Sequence, residues 1–378
     1  MKKVVIAVDS FKGSLSSREV AEAFEAGFRS LFPDCVFQKI SIADGGEGTL
    51  DSLIEVLGGE RVEVEVNNPL LRPIKTQYGI IEGGSTAIIE MAAASGLTLL
   101  SNEERNPMLT TTFGTGEMIA DAIKRGCRKL LIGIGGSATN DGGTGLCRAL
   151  GYRFLDSYGV ELIGRGEELH KIAVIDDSNV VPELRECEFV VACDVTNNLF
   201  GKFGAAHIFA PQKGADKAMV EKLDEGLRNF ARVVAAYNGS MIALVEGAGA
   251  AGGAGGGMKA LLNAQLCRGI EVILKAAKFD QIIAGSDLII TGEGRLDRQS
   301  LMGKVVSGVL SAATAQKIPS IAIAGGVEWC EELQTSGFAA IEVVTPEDMP
   351  LDKAMLPDVA KENVFQCARR VAQRYLNQ

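Results

Sequence analysis

A continuous run of apolar residues, Val4–Val8, is the feature that most constrains the fold of this chain. A run without alternating polar residues is typical of a strand buried on both faces, as in a parallel sheet. Ser16 and Glu19 then have the spacing of a helix capping box, and apolar residues recur after them at helical spacing. Further strands are predicted at Val36–Ile40 and Glu60–Val66. This alternation predicts an open α/β sheet.

The order of elements changes in the middle of the chain. Residues 67–73 contain two Pro and two Asn, which predicts a crossover between domains. The two strands predicted next, Ile74–Ile81 and Thr86–Glu90, can pair antiparallel. The α/β alternation returns near residue 288. We therefore expect an α/β protein of two domains, in which residues 1–70 plus 285–378 form an open, flavodoxin- or Rossmann-like parallel sheet from both chain ends. Residues 71–284 form an inserted α/β domain with a mixed sheet.

Composition excludes several classes of function. The formal net charge is −10 and no basic stripe is present, so a nucleic-acid partner is not expected. The two His residues exclude a site built from several His ligands. The eight Cys form no CxxC pair, which is typical of reduced thiols. No apolar window is long enough for a membrane span, and the first apolar run is too short for a signal peptide. We expect a cytoplasmic protein without a membrane partner.

Five loops concentrate glycine, carboxylate, amide and cationic side chains at the ends of predicted strands, where open α/β sheets bind ligands. The first loop, residues 9–14, follows the first strand. Its Ser10 and Lys12 are candidates to bind a phosphate or carboxylate group. The alternative is a turn with a solvated lysine.

The second loop, residues 43–49, contains three Gly that permit a tight turn into a helix N-terminus. The amides of Gly45 and Gly46 are candidates for phosphate binding. Asp44 and Glu47 have oxygen ligands that suit Mg²⁺. Each of these carboxylates can instead cap the helix.

The third loop, residues 135–143, is the most unusual segment, because it is poor in side chains that pack. Its backbone amides and short polar side chains can form a nest for phosphates between a strand and a helix. Its candidate ligand-binding residues are Gly135, Gly136, Ser137, Asn140 and Asp141.

The fourth loop follows the strand predicted at Glu188–Ala192. Asp194 at this strand end is a candidate general base or metal ligand, and the alternative is an Asp turn. Asn197 and Lys213 are candidates to bind an anion.

The fifth loop, residues 291–304, is rich in charged residues. Arg295 and Asp297 are candidate catalytic residues, and Glu293, Gln299 and Lys304 are candidates for substrate or phosphate binding. The alternative is a surface charge network.

A dinucleotide-binding reading competes for residues 247–252, which match the pattern G-x-G-x-x-G after a possible strand at Met241–Val245. The acidic residue expected about 20 residues later at a strand end is missing. We interpret residues 247–257 as a flexible hinge or a ligand loop. No Walker A motif is present, so an ATP enzyme with this sequence is not of the P-loop class.

Eight of these segments together resemble the bacterial glycerate kinase family that lacks a Walker motif. In chain order they are DSFKGS at 9–14, ADGGEGT at 43–49, GTGE at 114–117, GIGGSATNDGG at 133–143, CDVTN at 193–197, FAPQKGA at 209–215, GAGAAGG at 247–253 and TGEGRLDRQSLMGK at 291–304. The resemblance covers essentially the whole chain. One departure is Asn198, where the family usually has Pro after the Asn, a change that loosens the turn slightly.

The resemblance implies two α/β domains with a cleft between them, and a reaction of ATP, Mg²⁺ and D-glycerate that yields 2-phosphoglycerate in the breakdown of glyoxylate or sugar acids. Phosphoryl transfer depends on positioning and on neutralised charge. The cations that the motifs offer are Lys12, Lys213, Arg295 and Lys304. The carboxylates of Asp44, Asp194 and Asp297 are candidates for Mg²⁺, and one of them can be the base.

Two other functions stay as alternatives at this point. The first is an NAD-dependent oxidoreductase of hydroxy acids, which would use residues 247–252. The second is a sensor of sugar acids without catalysis, which would not need five loops with charged and amide groups. The assembly state is open, with a homo-oligomer as one option.

Overall fold

A computed structural model of the chain describes residues 1–41, 54 and 57–376. The strands are β1 Lys3–Val8, β2 Val36–Ser41, β3 Gly59–Asn67, β4 Pro73–Ile81, β5 Thr86–Glu90, β6 Lys129–Gly133, β7 Arg153–Leu155, β8 Val174–Asp176, β9 Glu188–Ala192, β10 Gln265–Cys267, β11 Leu288–Leu296, β12 Ser320–Val327 and β13 Ala340–Val343. The α-helices are α1 Ser17–Arg29, α2 Ala92–Ser95, α3 Phe113–Lys124, α4 Thr144–Ala149, α5 Ala205–Phe209, α6 Lys217–Asn238, α7 Ala250–Leu261, α8 Gly269–Ala276, α9 Phe279–Ile283, α10 Val305–Ala315, α11 Glu331–Gln334, α12 Leu351–Ala354 and α13 Pro357–Leu376. None of the helices in the described ranges is long and apolar enough to cross a membrane.

The chain divides into two compact units. The first unit combines Met1–Asp44 with Ile273–Gln378, and the second is Gly45–Val272. The predicted domain boundaries, after residue 70 and before residue 285, stay a prediction.

The first unit is built on a parallel sheet with the strand order β13-β12-β11-β1-β2. The apolar run predicted to be a buried strand is β1, and its residues 4–8 are fully buried. Helix α1 begins at the predicted capping box of Ser16 and Glu19. It packs against α13 so closely that a Cβ at Gly27 would lie 2.2 Å from the Phe365 carbonyl oxygen. A small residue is therefore required where these helices cross.

The second unit is built on a mixed sheet with the order β10-β9-β6-β5-β4-β3. Strands β3, β4 and β5 pair antiparallel, and β5, β6, β9 and β10 pair parallel. The predicted fold class, an α/β protein with one parallel and one mixed sheet, is confirmed.

The placement of β3 differs from the expectation that it continues the first sheet. β3 pairs with β4 in the mixed sheet, so residues 67–73 form a tight turn inside one sheet, and the predicted crossover is wrong. The buried side chain of Asn68 closes this turn, because its Oδ1 accepts hydrogen bonds from the amides of Leu70 and Arg72 at 2.9 and 3.0 Å. The helix predicted to follow the second loop, near residues 50–56, lies outside the described residues except for residue 54.

The glycine-rich tract also differs from its prediction. Met241–Val245 forms no strand and contains a 3-10 turn, Ile242–Leu244. The tract then enters α7, where Gly252 is buried with φ +67°, and a Cβ there would lie 2.1 Å from the Thr139 carbonyl oxygen. The glycines therefore allow two backbone segments to pack in contact, an arrangement that favours a rigid tract over a flexible hinge; the interpretation as a ligand loop stays a prediction. The alternative of a dinucleotide-binding motif at residues 247–252 is weakened as well, because that motif requires a strand at Met241–Val245.

Candidate functional site

A cavity of about 850 Å³ lies in the first unit, outside the carboxyl ends of β1, β11, β12 and β13. This is the edge at which open parallel sheets bind ligands. The volume is in the range of sites for small molecules and cofactors. Six of the predicted site residues line it: Ser10, Lys12, Glu293, Arg295, Asp297 and Lys304.

The loop after β1 is held in a fixed turn. The backbones of Phe11 and Leu15 exchange hydrogen bonds of 2.8 and 3.0 Å, and both side chains are buried. Ser10 donates its amide to Asp9 Oδ1 at 2.6 Å. Lys12 projects from this turn as an exposed residue on the wall of the cavity.

Glu293 is a largely buried acidic side chain on the cavity wall, with a side-chain exposure of 14%. Desolvation raises the pKa of its carboxyl group, although Ser300 and Lys304 act in the opposite direction. The Lys304 ammonium nitrogen lies 4.0 Å from Glu293 Oε2. Glu293 Oε1 is buried and has no hydrogen-bond partner among the described residues. Buried acceptors are rarely left unpaired, so this atom is a candidate to meet a ligand.

Two further charged residues follow Glu293, with Arg295 in β11 and Asp297 directly after this strand. Asp297 Oδ1 caps the 3-10 turn Arg298–Leu301 by accepting hydrogen bonds from the amides of Gln299 and Ser300 at 2.8 and 3.1 Å. Arg295 forms an exposed ion pair with Glu328 at 2.6 Å. Gln299 is exposed and does not line the cavity, so its predicted part in substrate binding receives no geometric support.

The second unit holds the glycine-rich loop 135–143. Asp141 is fully buried and its Oδ2 accepts hydrogen bonds from Thr112, at 2.7 Å from the amide and 2.8 Å from the hydroxyl. The amides of Gly143 and Gly145 also donate to this carboxyl group. Burial raises the pKa of Asp141 despite these bonds. The residue therefore fixes the loop to the starts of α3 and α4, and its role toward a substrate stays a prediction.

Lys213 is also buried, at 3% exposure. Its Nζ donates hydrogen bonds to Ser137 Oγ at 2.9 Å and to the Thr139 carbonyl oxygen at 2.7 Å. Desolvation lowers the pKa of Lys213 to about 7, and the carboxylate of Asp141 only partly offsets this. The side-chain amide of Asn140 is buried, and neither of its polar atoms has a partner within the described ranges. Gly135 and Gly136 are exposed at the other end of the loop.

The loop after β9 belongs to the second unit too. Asp194 is exposed and accepts a hydrogen bond from the Gly269 amide at 2.8 Å. Asn197 Nδ2 donates to the Phe203 carbonyl oxygen at 3.0 Å. In the described part of the chain, no three His, Cys, Asp or Glu side chains form a group that could hold a metal ion. The predicted ligands Asp44, Gly45, Gly46 and Glu47 lie outside the described residues.

Several residues that line the cavity were missed by the sequence analysis. They include Asp9, Gly325, Gly326, Glu328, Asn363 and most residues between Val343 and Met355. A signal existed for the glycine pair, because Gly325 and Gly326 directly follow the apolar part of a strand, as the chosen loops do. Asn363 lies inside a helix, where no local pattern marks it.

Comparison with known proteins agrees with these motifs. The chain matches the sequence model of the glycerate kinase family over residues 4–376. It is 45% identical to glycerate kinase of Bacillus subtilis strain 168, over 98% of this chain and 97% of the relative. It is 43% identical to glycerate 2-kinase of Escherichia coli strain K12, with the same coverage of both chains.

A solved structure agrees as well. The crystal structure described as that of glycerate kinase 2 from Salmonella typhimurium LT2 superposes with a TM-score of 0.88 at 43% identity. The superposition covers 100% of this chain and 98% of the other. The predicted resemblance is confirmed along the whole chain: the protein belongs to the glycerate kinase family.

Proposed function

We propose that this protein transfers the γ-phosphoryl group of ATP to the 2-hydroxyl of D-glycerate, with release of ADP and 2-phosphoglycerate. The observation that carries the proposal is the cavity of the first unit. It gathers three cations, Lys12, Arg295 and Lys304, with the carboxylates of Glu293 and Asp297 at one edge of a parallel sheet. The names of the relatives agree with this activity.

The three cations of the cavity can neutralise the negative charge of the two reactants. Phosphoryl transfer needs charge neutralisation and positioning more than covalent chemistry, and both reactants are anions. In a chain with net charge −10, local cations must supply the attraction. Lys12 projects from a turn closed by hydrogen bonds, and Lys304 is the N-cap residue of α10. Both lysines are therefore carried by ordered backbone. We assign these two residues to the phosphate groups and Arg295 to the charge that develops during transfer.

The carboxylates divide into two roles. Glu293 has an unpaired buried oxygen and a raised pKa, which suit a group that accepts the proton of the glycerate hydroxyl. Asp297 and Asp9 offer oxygen ligands on the same cavity wall and would hold Mg²⁺, which prefers one or two carboxylates together with phosphate oxygens and water. The ion supplies further neutralisation of phosphate charge when bound.

The second unit contributes candidates of its own. The exposed amides of Gly135 and Gly136 and the side chains of Asn140 and Asp194 stay proposed ligands for an anion or a metal ion. Ser137 and Lys213 are proposed to hold the loop in shape. We propose a cytoplasmic enzyme whose partners are small molecules.

An ADP-release assay with purified full-length protein tests the proposal. Turnover is expected with ATP and D-glycerate, and removal of Mg²⁺ with a chelator is expected to abolish it. A panel of small hydroxy acids provides the comparison. Turnover with another acid and none with glycerate would refute the substrate assignment, and binding of glycerate without ATP turnover would indicate a sensor.

A further inference from the structure

The cavity of the first unit has two ends of different chemistry. Its charged end lies at β1 and β11, where Lys12, Glu293 and Lys304 line it. Its other end lies beyond β13, where most of the lining side chains are apolar, although Thr345 and Glu347 also line it. The apolar side chains there are Val343, Pro346, Met349 and Leu351, and the apolar wall continues to Met355, whose Cε would lie 3.0 Å from a Cβ at Gly13 in the loop after β1. The proposed phosphate chemistry uses only the charged end.

We propose that the apolar end binds the adenine base of ATP and that the side-chain amide of Asn363 forms hydrogen bonds with the edge of the base. This inference rests on the proposed function, because it takes ATP as the ligand. It adds a base subsite and a residue that determines nucleotide specificity.

The dimensions of the sheet support one nucleotide along the cavity. β13 and β1 are three strand positions apart in the order β13-β12-β11-β1. Neighbouring strands are about 4.8 Å apart, so the carboxyl ends of β13 and β1 are on the order of 14 Å apart, comparable to the length of an extended ATP molecule. The middle of the cavity is lined by Gly326, where an added Cβ would meet no atom within 4 Å. The space between the two ends is therefore open.

Apolar side chains on this wall of the cavity are exposed to solvent, and a bound ligand would bury them. Leu351 is 72% exposed and Met355 is 37% exposed, although both line a cavity. The backbone that carries them is ordered by hydrogen bonds, from Met349 to Pro346 and from Met355 to Leu351, at 3.0 and 2.9 Å. A flat heteroaromatic base is the part of ATP that gains from burial against such side chains.

Asn363 supplies the polar group that a base subsite needs. Its side chain is 8% exposed and lines the cavity. Among the described residues its amide makes one side-chain hydrogen bond, from Nδ2 to the Met349 sulfur at 3.3 Å. A thioether is a weak acceptor, so the amide is poorly satisfied without a ligand. At the edge of the base that carries N7, an asparagine amide can accept from the adenine amino group and donate to N7, whereas guanine offers two acceptors, O6 and N7, at this edge.

Binding of ADP to the full-length protein without glycerate tests the subsite. Asn363→Ala is expected to weaken ADP binding about tenfold, because a buried hydrogen-bonding group is lost. Asn363→Asp is expected to lower the preference for ADP over GDP by about the same factor, since a carboxylate only accepts. Leu351→Ser changes an exposed side chain, so it should fold, and it is expected to weaken ADP binding several-fold. Gln366→Ala, an exposed position on the same helix, is the control and should bind ADP like the wild type.

Photolabelling with 8-azido-ATP, followed by peptide mapping, provides a readout that no substitution can disturb. Labelled peptides are expected within residues 343–363 and should be protected by ADP. Labelling confined to other peptides, or ADP affinities of folded Asn363→Ala and Leu351→Ser within twofold of wild type, would overturn the inference. Neither measurement includes glycerate. A protein that binds and is labelled as expected but does not phosphorylate glycerate would therefore refute the proposed function and leave the base subsite supported.

Discussion

Lys304 and Glu293 face each other across the turn between β11 and α10, with 4.0 Å between the lysine Nζ and Glu293 Oε2. At this distance the lysine attracts the carboxylate without a hydrogen bond, and Oε1 is buried without a hydrogen-bond partner in the described part of the chain. Burial therefore outweighs the lysine and raises the pKa of Glu293. A carboxylate kept in an unfavourable place is typical of a functional site, where activity is maintained at some cost in stability.

Glu293→Gln is predicted to stabilise the protein and to impair its activity. A carboxyl group whose pKa is raised by folding favours the folded state below its unfolded pKa of 4.5, and this contribution is lost as the pH rises through the folded pKa. The Tm of the variant should therefore exceed that of the wild type near pH 7 to 8, and the difference should vanish near pH 4. Thermal unfolding of both proteins across this range measures it. A variant that is less stable at pH 8 would contradict the account.

The ammonium group of Lys12 is predicted to serve catalysis and not folding. Lys12→Ala should lower kcat/KM by about 10²–10³-fold, the effect commonly seen when a group that stabilises transition-state charge is removed. Its Tm should stay within about 1 °C, because an exposed side chain contributes little to stability. Lys361→Ala is the matched control, since this surface lysine of the same unit pairs only with Glu19 among the ion pairs described. Equal activities of the two variants would rule out the role of Lys12.

Lys213 is predicted to make stability depend on alkaline pH. Its pKa falls from 10.5 in the unfolded chain to about 7 in the folded protein, so folding releases a proton between these values. Stability contributed by the site is therefore greatest above pH 10.5 and is lost as the pH falls toward 7. Relative to Lys213→Met, the wild type should gain up to about 1.4 kcal/mol per pH unit in this window.

Chemical unfolding of Lys213→Met and wild type at pH 7.5 and 9.5 measures this dependence. Lys217→Met, four residues along the chain at an exposed position, is the control and should show a constant difference from wild type. A constant difference for Lys213→Met as well would show that the buried ammonium group is not destabilised by its surroundings.

The glycine tract of the second unit is predicted to be rigid. A Cβ at Gly257 would lie 2.0 Å from the Gly142 carbonyl oxygen, whereas a Cβ at the adjacent Gly256 would lie 3.2 Å from the nearest atom. Gly257→Ala should therefore destabilise the protein by about 3 kcal/mol or more, and Gly256→Ala by clearly less. Denaturant unfolding compares the two. Equal stabilities would revive the interpretation of this tract as a flexible hinge.

The sequence predicted the parts of the fold that depend on local pattern. The run at residues 4–8 is buried β1, the Ser16–Glu19 capping box starts α1, and Ile74–Ile81 pairs antiparallel with Thr86–Glu90. Sheet membership depends on pairing between distant residues, which explains the error for β3. The glycine tract at residues 247–257 does not reveal its role in the sequence, because the backbone freedom of glycine allows close packing as readily as motion.

The sequence predicted those site residues that are charged and lie in loops directly after strands. The strand-end loops contain Lys12, Glu293, Arg295, Asp297 and Lys304, and the fold brings these residues to one cavity. The apolar end of that cavity could not be predicted, because the sequence does not distinguish apolar side chains that line a cavity from apolar side chains of the core. Lys213 was chosen as an anion ligand for its charge, but its burial against loop 135–143 depends on contacts with residues more than 70 positions away.

The most direct measurement of the central claim is an assay with ATP, Mg²⁺ and D-glycerate that is coupled to enolase and contains no mutase. Enolase converts 2-phosphoglycerate to phosphoenolpyruvate and does not act on 3-phosphoglycerate. We predict a signal from the start of the reaction that is proportional to the protein added and is lost in Lys12→Ala. A signal that requires added mutase would show that the 3-hydroxyl is phosphorylated, and ADP release without either product would contradict the proposed kinase activity altogether.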